Sequence, residues 1–337
     1  MTSTTLVREA VQSSATSLMD AWRLHEFGPP EAMLFERVPR PEPGSGEVLV
    51  KVHAAGVGPW YGWIRAGRSA LPQPLPLTLG SDLSGEVAAL GSGVSGVAVA
   101  DQVFGVTNPG FIGAYADYAV ASVGMLAKKP SSLSYAEAAS VPVIAVTAWQ
   151  ALFEQARLEG GQTVVIHGAA GNVGAYAVQL ARRAGLRSIA TVATEDIDYV
   201  QGLGAHTVVN FQTQRFEDEI ENADAVLDLV GGDTQRRSFQ VLGPGGKLIS
   251  TVSEPDQERA RHHGVTAAFF LVEVTTERLG RIAELFDRGE LKTRVGIVLP
   301  LADAREAHMM LEGRRQRPKG KIILSVEWAG EVTNKGR

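Results

Sequence analysis

The sequence contains no cysteine among its 337 residues. That absence excludes disulfide bonds, thiol nucleophiles and every metal site that uses cysteine ligands. Charged residues make up only 20% of the chain, and hydrophobic residues make up 45%. This composition is typical of a folded globular protein, and the length is suited to two domains.

Long hydrophobic runs are also missing. The most apolar stretch, residues 139–149, is too short to cross a bilayer and contains Pro142, so it predicts a buried segment and no membrane contact. Residues 1–17 are rich in Ser and Thr and have no apolar signal core. We expect a flexible arm there and a cytoplasmic protein; a remnant of an organelle-targeting segment is the alternative.

Positive charge is scarce, because 32 Lys and Arg residues face 37 Asp and Glu residues for a net charge of −5. A nucleic-acid-binding protein normally presents a basic patch or stripe, so this class of partner is not expected. The nearest approach to such a patch is Arg314, Arg315, Arg317, Lys319 and Lys321. We interpret it as a solvated basic face near a nucleotide phosphate.

The first third of the chain consists of short apolar stretches separated by glycine-containing turns, which is typical of a barrel-like β domain. We predict strands over 48–57, within 77–90, within 98–107 and over 113–120. Ser134 and Glu137 form a capping-box signature, after which a helical pattern continues to about residue 157 with an interruption at Pro142.

Strands and helices then alternate, which predicts an α/β fold with a doubly wound parallel sheet and helices on both faces. The predicted strands are 163–167, 188–193, 207–211, 223–230 and 247–252, and the predicted helices are 172–184, 194–203, 275–289 and 301–312. A final strand over 321–326 is positioned to return to the first domain.

One glycine-rich segment carries the chemistry. In TVVIHGAAGNVG, residues 163–174, a buried strand runs into a glycine turn that opens a helix, as a dinucleotide-binding fingerprint requires. Gly171 permits close approach of a pyrophosphate, Gly174 permits tight helix packing, and the N–H groups of Asn172, Val173 and Gly174 favour phosphate charge. Ala169 replaces the first glycine of the general motif. A tight turn without a ligand is the alternative.

Residues 166–185 (IHGAAGNVGAYAVQLARRAG) resemble the quinone oxidoreductase, or zeta-crystallin-like, branch of the medium-chain dehydrogenase/reductase superfamily. The resemblance extends over residues 21–326 through GEVLVKV at 46–52, LGSDLSG at 79–85, GAYADY at 113–118 and GKIIL at 320–324. It implies a Rossmann domain inserted into a GroES-like catalytic domain, with the active site between them, and a homodimer. We expect the catalytic domain at 18–144 and 272–328, the nucleotide-binding domain at 145–271, and flexible tails at 1–17 and 329–337.

Zinc-dependent relatives hold their metal with Cys, His and Cys. The turn with their first Cys corresponds to Gly58-Pro59-Trp60-Tyr61, and their Gly-His-Glu corresponds to Gly80-Ser81-Asp82. Neither position retains its Cys or His, so the comparison implies a reaction without a metal.

The cofactor follows from the loop after the second strand of the nucleotide-binding domain. An acidic residue there would bind the ribose 2′-hydroxyl of NAD, and a basic residue would suit the 2′-phosphate of NADP. Thr194 is followed by Glu195 and Asp196. These carboxylates oppose a phosphate, unless they serve only to favour the start of the next helix. The resemblance implies NADPH, with NADH as the alternative.

The resemblance also implies the cofactor contacts, which are Thr147, Ala170, Gly171, Asn172, Val173, Gly174, Thr194, Asn210, Phe270, Gly320 and Lys321. Lys321 is expected on a phosphate or ribose oxygen, with a lysine at the surface end of a strand as the alternative.

The implied reaction is hydride transfer to a quinone or an α,β-unsaturated carbonyl compound. The family often has Asn-Pro-x-Asp where this chain has Gly58-Pro59-Trp60-Tyr61. We expect Trp60 and Tyr61 to form an apolar wall for a flat substrate, with Tyr61 as a hydrogen-bond or proton donor. The alternative is that both aromatic residues only pack the interdomain seam. A non-catalytic, crystallin-like NADPH-binding protein is the competing function, and the departures at Gly58 and Tyr61 would fit lost activity.

Overall fold

The computed structural model describes residues 17–71 and 73–328. Apart from residue 17, the two predicted tails lie outside these residues.

The first part of the chain is rich in strands, as predicted. Its elements are β1 (Leu18–Leu24), β2 (Met33–Pro39), β3 (Glu47–Val57), α1 (Pro59–Arg65), β4 (Leu77–Thr78), β5 (Asp82–Leu90), β6 (Gln102–Val106), β7 (Tyr118–Ser122) and β8 (Leu126–Lys128). The strand predicted at 113–120 begins only at Tyr118. The segment that follows β3 forms α1, with Pro59 at its first position, where a missing N–H costs nothing.

A helical segment leads from the first part to the middle of the chain. It contains α2 (Tyr135–Ala139), α3 (Pro142–Trp149) and a π-helical continuation over Gln150–Gln155. Ser134 and Glu137 cap α2 reciprocally, which confirms the predicted capping box. The interruption predicted at Pro142 is also present, since α3 begins there.

The middle of the chain forms the predicted parallel sheet. Its elements are β9 (Thr163–His167), α4 (Asn172–Arg183), β10 (Arg187–Val192), α5 (Ile197–Leu203), β11 (Thr207–Asn210), α6 (Phe216–Glu219), β12 (Ala223–Asp228), α7 (Gly232–Ser238), β13 (Leu242–Ser250), α8 (Gln257–His262) and β14 (Thr266–Phe269). The strand order is β11-β10-β9-β12-β13-β14, with parallel pairing throughout. This is the 3-2-1-4-5-6 order of a dinucleotide-binding fold.

The last part of the chain joins a seven-stranded sheet, called the first sheet below, whose other strands come from the first part of the chain. It contains α9 (Thr276–Asp287), β15 (Val295–Pro300), α10 (Ala304–Leu311) and β16 (Lys321–Ser325). In that sheet the order is β15-β16-β3-β5-β6-β8, and β7 also pairs with β3. The prediction that the final strand closes the first domain is confirmed by the antiparallel pairing of β16 with β3. Short 3₁₀ helices occupy Pro30–Ala32, Val123–Met125, Thr194–Asp196, Phe239–Val241 and Leu301–Asp303.

Two apolar cores meet at a seam. One surrounds α3 and α4 and includes Val164 and Ile166 of β9, which are fully buried because helices cover both sheet faces. The other fills the first sheet. The half-buried side chains of Trp60 and Phe111 pack against both cores, so they mark the seam between the two units.

The predicted domain limits remain a prediction, and the limit at 144/145 lies within α3. Across residues 17–71 and 73–328, the structure has no helix with the length and apolar character needed to span a membrane.

Candidate active site

The glycine turn after β9 has the geometry that the sequence predicts. Gly168 has φ +69°, a left-handed conformation that favours glycine. A Cβ on Gly174 would lie 2.4 Å from the carbonyl oxygen of Gly168 and 2.6 Å from Cα of Ala169. Only glycine at position 174 therefore lets α4 pack this closely against the turn.

The N-terminus of α4 opens onto a groove. Its N-cap residue, Gly171, has extended backbone dihedrals and supplies no side-chain cap, so the first N–H groups of the helix lack a side-chain acceptor. Uncapped N–H groups and the positive end of the helix dipole favour an anionic group such as a pyrophosphate. The groove, called the α4 groove below, is lined by Ile144, Ala170, Gly171, Asn172, Ala175, Tyr176, Tyr199, Lys292, Thr293, Arg294 and Gly320.

The loop after β10 brings two predicted residues together. Nδ2 of Asn210 donates to Oγ1 of Thr194 at 2.8 Å, and Oγ1 of Thr194 donates to Oε1 of Gln212 at 2.8 Å. The two acidic residues that follow Thr194 face a lysine from the end of the chain. Nζ of Lys319 lies 2.6 Å from Oδ1 of Asp196, and the same nitrogen lies 3.8 Å from Oε1 of the neighbouring Glu195.

Two cations also line a wall of the α4 groove. Lys292 and Arg294 come from the segment before β15, and the guanidinium of Arg294 lies 4.5 Å from the centre of the Tyr199 ring. Burial raises the pKa of Tyr199, and the charge of Arg294 opposes that rise. This wall carries positive charge towards the uncapped helix end, which suits an anionic ligand.

Lys321 is not among the residues that line the α4 groove, and its contact with the cofactor stays a prediction. Its side chain is 1% exposed, and Nζ lies 3.0 Å from Oδ2 of Asp82. Oδ1 of Asp82 accepts a hydrogen bond from the N–H of Val143, at the start of α3. Burial lowers the pKa of Lys321, and attraction to Asp82 opposes the shift. A buried carboxylate therefore holds Lys321 inside the unit built around the first sheet, which is called the first unit below.

Tyr61 is also directed inward, and its expected role as a proton donor to the substrate stays a prediction. Its side chain is fully buried, and its hydroxyl oxygen accepts hydrogen bonds from the N–H groups of Ser81 and Asp82 at 2.8 and 2.9 Å. Its proton goes to Oγ of Ser81 at 2.8 Å. Burial raises the pKa of Tyr61 above its usual value, and the carboxylate of Asp82 adds to the rise. The hydroxyl thus joins α1 to the start of β5.

Trp60 occupies the seam beside this buried pair. Its ring lies 4.5 Å from Nζ of Lys321, a distance at which a cation is attracted to the face of an aromatic ring. A Cβ on Gly58 would lie 2.3 to 2.5 Å from atoms of the same ring. Glycine at position 58, where the family often has Asn, is therefore the residue that admits the Trp60 ring.

Of the eleven predicted cofactor residues, seven do not line the α4 groove, namely Thr147, Val173, Gly174, Thr194, Asn210, Phe270 and Lys321. Thr147 is buried in α3, where Oγ1 donates to the carbonyl oxygen of Val143 within the same helix. Phe270 follows β14, is half-buried and packs against the core around α3 and α4. Of the remaining predictions, the α4 groove brings together Ala170, Gly171, Asn172 and Gly320.

Comparison with known proteins identifies the family. The alcohol dehydrogenase GroES-like domain model matches residues 44–131, and the zinc-binding dehydrogenase model matches residues 203–324. Human quinone oxidoreductase is 32% identical over 330 residues, which cover 93% of this chain and 99% of the human protein. The chain belongs to the quinone oxidoreductase family. It is thus an NAD(P)H-dependent oxidoreductase of the medium-chain dehydrogenase/reductase superfamily, as its sequence predicts.

Solved structures agree with this assignment. A quinone oxidoreductase from Coxiella burnetii superposes on this family member with a TM-score of 0.85 at 33% identity, covering 92% of this chain and all of the other. The mycobacterial protein Rv1454c, solved in complex with NADPH, superposes with a TM-score of 0.79 at 31% identity, covering 91% and 99% of the two chains. The predicted fold class, a GroES-like unit with a Rossmann-type sheet, is therefore confirmed.

In this member of the quinone oxidoreductase family, the residues that correspond to zinc ligands of zinc-dependent relatives contact other side chains. Ser81 bonds to Tyr61, and Asp82 is paired with Lys321. Within the described residues, no group of three or more His, Cys, Asp or Glu side chains could hold a metal ion.

Three residues that line the groove, Tyr199, Lys292 and Arg294, are absent from the residues that the sequence predicts, and Lys319 is predicted only as part of a solvated basic face. The expected basic face is divided, because four of its five cations each pair with an acidic residue of their own and Lys321 is buried. Arg314 pairs with Glu31, Arg315 with Glu306, Lys319 with Asp196, and Lys321 with Asp82. The basic run was the available signal for Lys319, whereas Lys292 and Arg294 reach the groove through tertiary pairing of β15 with β16.

Proposed function

We propose that this protein uses NADPH to reduce a quinone or an α,β-unsaturated carbonyl compound without zinc. The observation that carries the proposal is the arrangement at the seam. The carboxylate of Asp82 already has a buried ammonium as its counter-charge, and the Trp60 ring covers that ammonium. The relatives named quinone oxidoreductase support the substrate class.

The residues of the α4 groove fit a nicotinamide nucleotide. Gly171 leaves the first N–H groups of α4 without a side-chain cap, and Arg294 and Lys292 supply positive charge on a wall of the groove. When bound, the nucleotide supplies the hydride for the reduction. The chain itself anchors the phosphates, orients the nucleotide along the groove and keeps water from the seam.

The substrate would meet an apolar surface at the seam. Trp60 is half-buried and packs on both cores. Gly58 has no side chain and so leaves room for the Trp60 ring, and the ammonium of Lys321 lies over the face of that ring. A flat ring system can stack on such a side chain. The hydroxyl of Tyr61 is fully engaged, so in this proposal the proton that completes the reduction comes from solvent.

The test is oxidation of NADPH, followed by its absorbance, with quinones, enones and alkenals as separate acceptors. We expect turnover with at least one of these classes, and we expect it to survive treatment of the enzyme with a chelator. Turnover that is lost with the chelator and restored by zinc would refute the metal-free reaction. Oxidation of alcohols with no reduction of these acceptors would refute the substrate class.

A pair of tryptophan variants locates the substrate. Trp60→Ala should raise KM for the acceptor at least tenfold, because it removes the apolar wall, and should leave the affinity for NADPH unchanged. Trp63→Ala is the matched control, since Trp63 lies on the same helix and is 50% exposed. Equal KM values in the two variants would place the substrate elsewhere.

Further expectations accompany this proposal. We infer that the protein is a cytoplasmic homodimer with domain limits at 144/145 and 271/272. Light scattering of the purified protein checks the oligomeric state, cell fractionation checks the location, and limited proteolysis checks the domain limits.

A further inference from the structure

The loop after β10 carries two carboxylates, and a cation from a distant part of the chain faces them. Glu195 is 61% exposed and Asp196 is 15% exposed. Lys319 lies within 4 Å of both, although it is 123 residues from Asp196 in sequence. In the folded protein, Lys319 therefore balances one of the two negative charges that oppose a phosphate in the sequence.

The position of Lys319 is set by the chain beside it. Gly320 has φ +113°, and a Cβ there would lie 2.7 Å from both the carbonyl oxygen of Arg294 and the N–H nitrogen of Gly296. The N–H of Lys321 also donates to the carbonyl oxygen of Arg294 at 2.9 Å. This close backbone contact holds Lys319 and Arg294 side by side at one edge of the α4 groove.

Three cations thus share this edge. Lys292 and Arg294 line the α4 groove, and Lys319 lies next to Gly320, which also lines it. We call Lys292, Arg294 and Lys319 the basic rim. The rim carries three positive charges and the facing loop carries two negative charges, so the place where the loop meets the groove has an excess of positive charge.

We infer that Lys319, assisted by Arg294, binds the 2′-phosphate of NADPH and gives this enzyme its cofactor preference. The inference rests on the proposed function only for the choice of a nicotinamide nucleotide as ligand. The ammonium of Lys319 has three N–H donors. One of them bonds to Oδ1 of Asp196, so the other N–H groups remain for a phosphate oxygen. The guanidinium of Arg294 stacks on Tyr199 and presents further donors to the same edge.

In this arrangement the acidic residues take a different role from the one that the sequence suggests. Asp196 does not repel the phosphate but positions the lysine that binds it. The competing arrangement has Asp196 accept a hydrogen bond from the 2′-hydroxyl of an unphosphorylated ribose, which would give a preference for NADH. The two arrangements predict opposite effects of removing Lys319.

The experiment compares 2′,5′-ADP with 5′-AMP, which differ only in the 2′-phosphate, by calorimetric titration of the full-length protein. For the unaltered enzyme we expect tighter binding of 2′,5′-ADP. Lys319→Ala should weaken 2′,5′-ADP about tenfold or more, as expected for one charge-assisted phosphate contact, and should leave 5′-AMP unchanged. Arg315→Ala is the matched control, because it removes one exposed positive charge from the same segment at a residue that pairs with Glu306.

Asp196→Asn separates the two arrangements. We expect unchanged or tighter binding of 2′,5′-ADP, because the variant releases Lys319 and removes negative charge. Weaker binding of 5′-AMP in Asp196→Asn, or equal binding of the two ligands by the unaltered enzyme, would overturn the inference. So would an equal loss for both ligands in Lys319→Ala, provided that its melting temperature matches that of the Arg315→Ala control.

Failure of this inference and failure of the proposed function give different results. If quinone reduction runs equally well with NADH and NADPH, the function holds and the inference fails. If the titrations behave as expected but no acceptor is reduced, the phosphate site holds and the proposed substrate class fails.

Discussion

Tyr61→Phe removes a single oxygen from the interior of the first unit. The hydroxyl accepts two backbone hydrogen bonds, from Ser81 and Asp82, and donates one to Oγ of Ser81. Phenylalanine keeps the ring and its packing but leaves both N–H groups without an acceptor in a fully buried place. The substitution therefore tests whether this oxygen is structural or belongs to the reaction.

The loss can be estimated from the two orphaned donors. A buried polar group left without a partner costs about 1–3 kcal/mol, so two such groups predict a loss of about 2–6 kcal/mol in the free energy of unfolding. The lower end applies if a water molecule takes the place of the oxygen. At temperatures where the variant stays folded, kcat should change less than twofold, because the hydroxyl does not face the substrate.

Tyr115→Phe is the matched control. Tyr115 is also fully buried, and its ring lies 5.6 Å from that of Tyr61 in an edge-on arrangement. Among the described residues its hydroxyl has no hydrogen-bond partner. Removing this unpaired group should leave stability unchanged or raise it slightly, since no partner is orphaned.

The assay is urea unfolding of the three proteins, with kcat and the affinity for NADPH measured on the same preparations. The reasoning is refuted if Tyr61→Phe and Tyr115→Phe have equal stabilities. A large fall in kcat for Tyr61→Phe with unchanged stability would instead restore the role of Tyr61 as a donor in the reaction.

Three further predictions follow from the buried polar groups and the glycine turn. His167 lies between Thr191 and Ser238, and burial lowers its pKa to about 4. The unfolded chain binds this proton at a higher pH, so the free energy of unfolding from urea titrations should fall as the pH drops from about 6.5 towards 4, by up to about 1.4 kcal/mol per unit of pKa shift. Asp82→Asn leaves the ammonium of Lys321 buried without a counter-charge and should cost about 3–5 kcal/mol in urea unfolding, a loss that the double variant Asp82→Leu with Lys321→Met should largely reverse. Gly174→Ala forces α4 away from the turn and should weaken NADPH at least tenfold in a fluorescence titration, whereas Gly202→Ala on α5, where a Cβ meets open space, should bind normally.

The parallel sheet was predictable because its central strands are continuous apolar runs. β9 has the predicted bounds, since a strand covered on both faces must be apolar along its whole length. β14 and β15 were missed, and both lie at the edge of their sheets. Their side chains are mostly half-buried, so the apolar signal that marks a strand in the sequence is weak.

The candidate site was predictable only where it is local. The glycine turn and the start of α4 lie within a few residues of each other, and their pattern is visible in the chain. Of the basic rim, only Lys319 has a signal in the sequence, because it belongs to the basic run. The contacts of Lys319 with Asp196 and of Arg294 with Tyr199 depend on tertiary structure, including the pairing of β15 with β16. The inward orientation of Tyr61 and Lys321 could not be predicted, because it depends on packing and not on their position in a motif.

The place of β16 within its sheet has a consequence for biosynthesis. This strand is the last element within the described residues, yet it lies between β15 and β3 and not at an edge. On the ribosome, the first sheet cannot reach its final pairing until residues 321–325 have emerged, whereas the six-stranded parallel sheet is contained within residues 163–269. We therefore expect the later part of the chain to mature before the earlier part, which must wait with β3 partly unpaired.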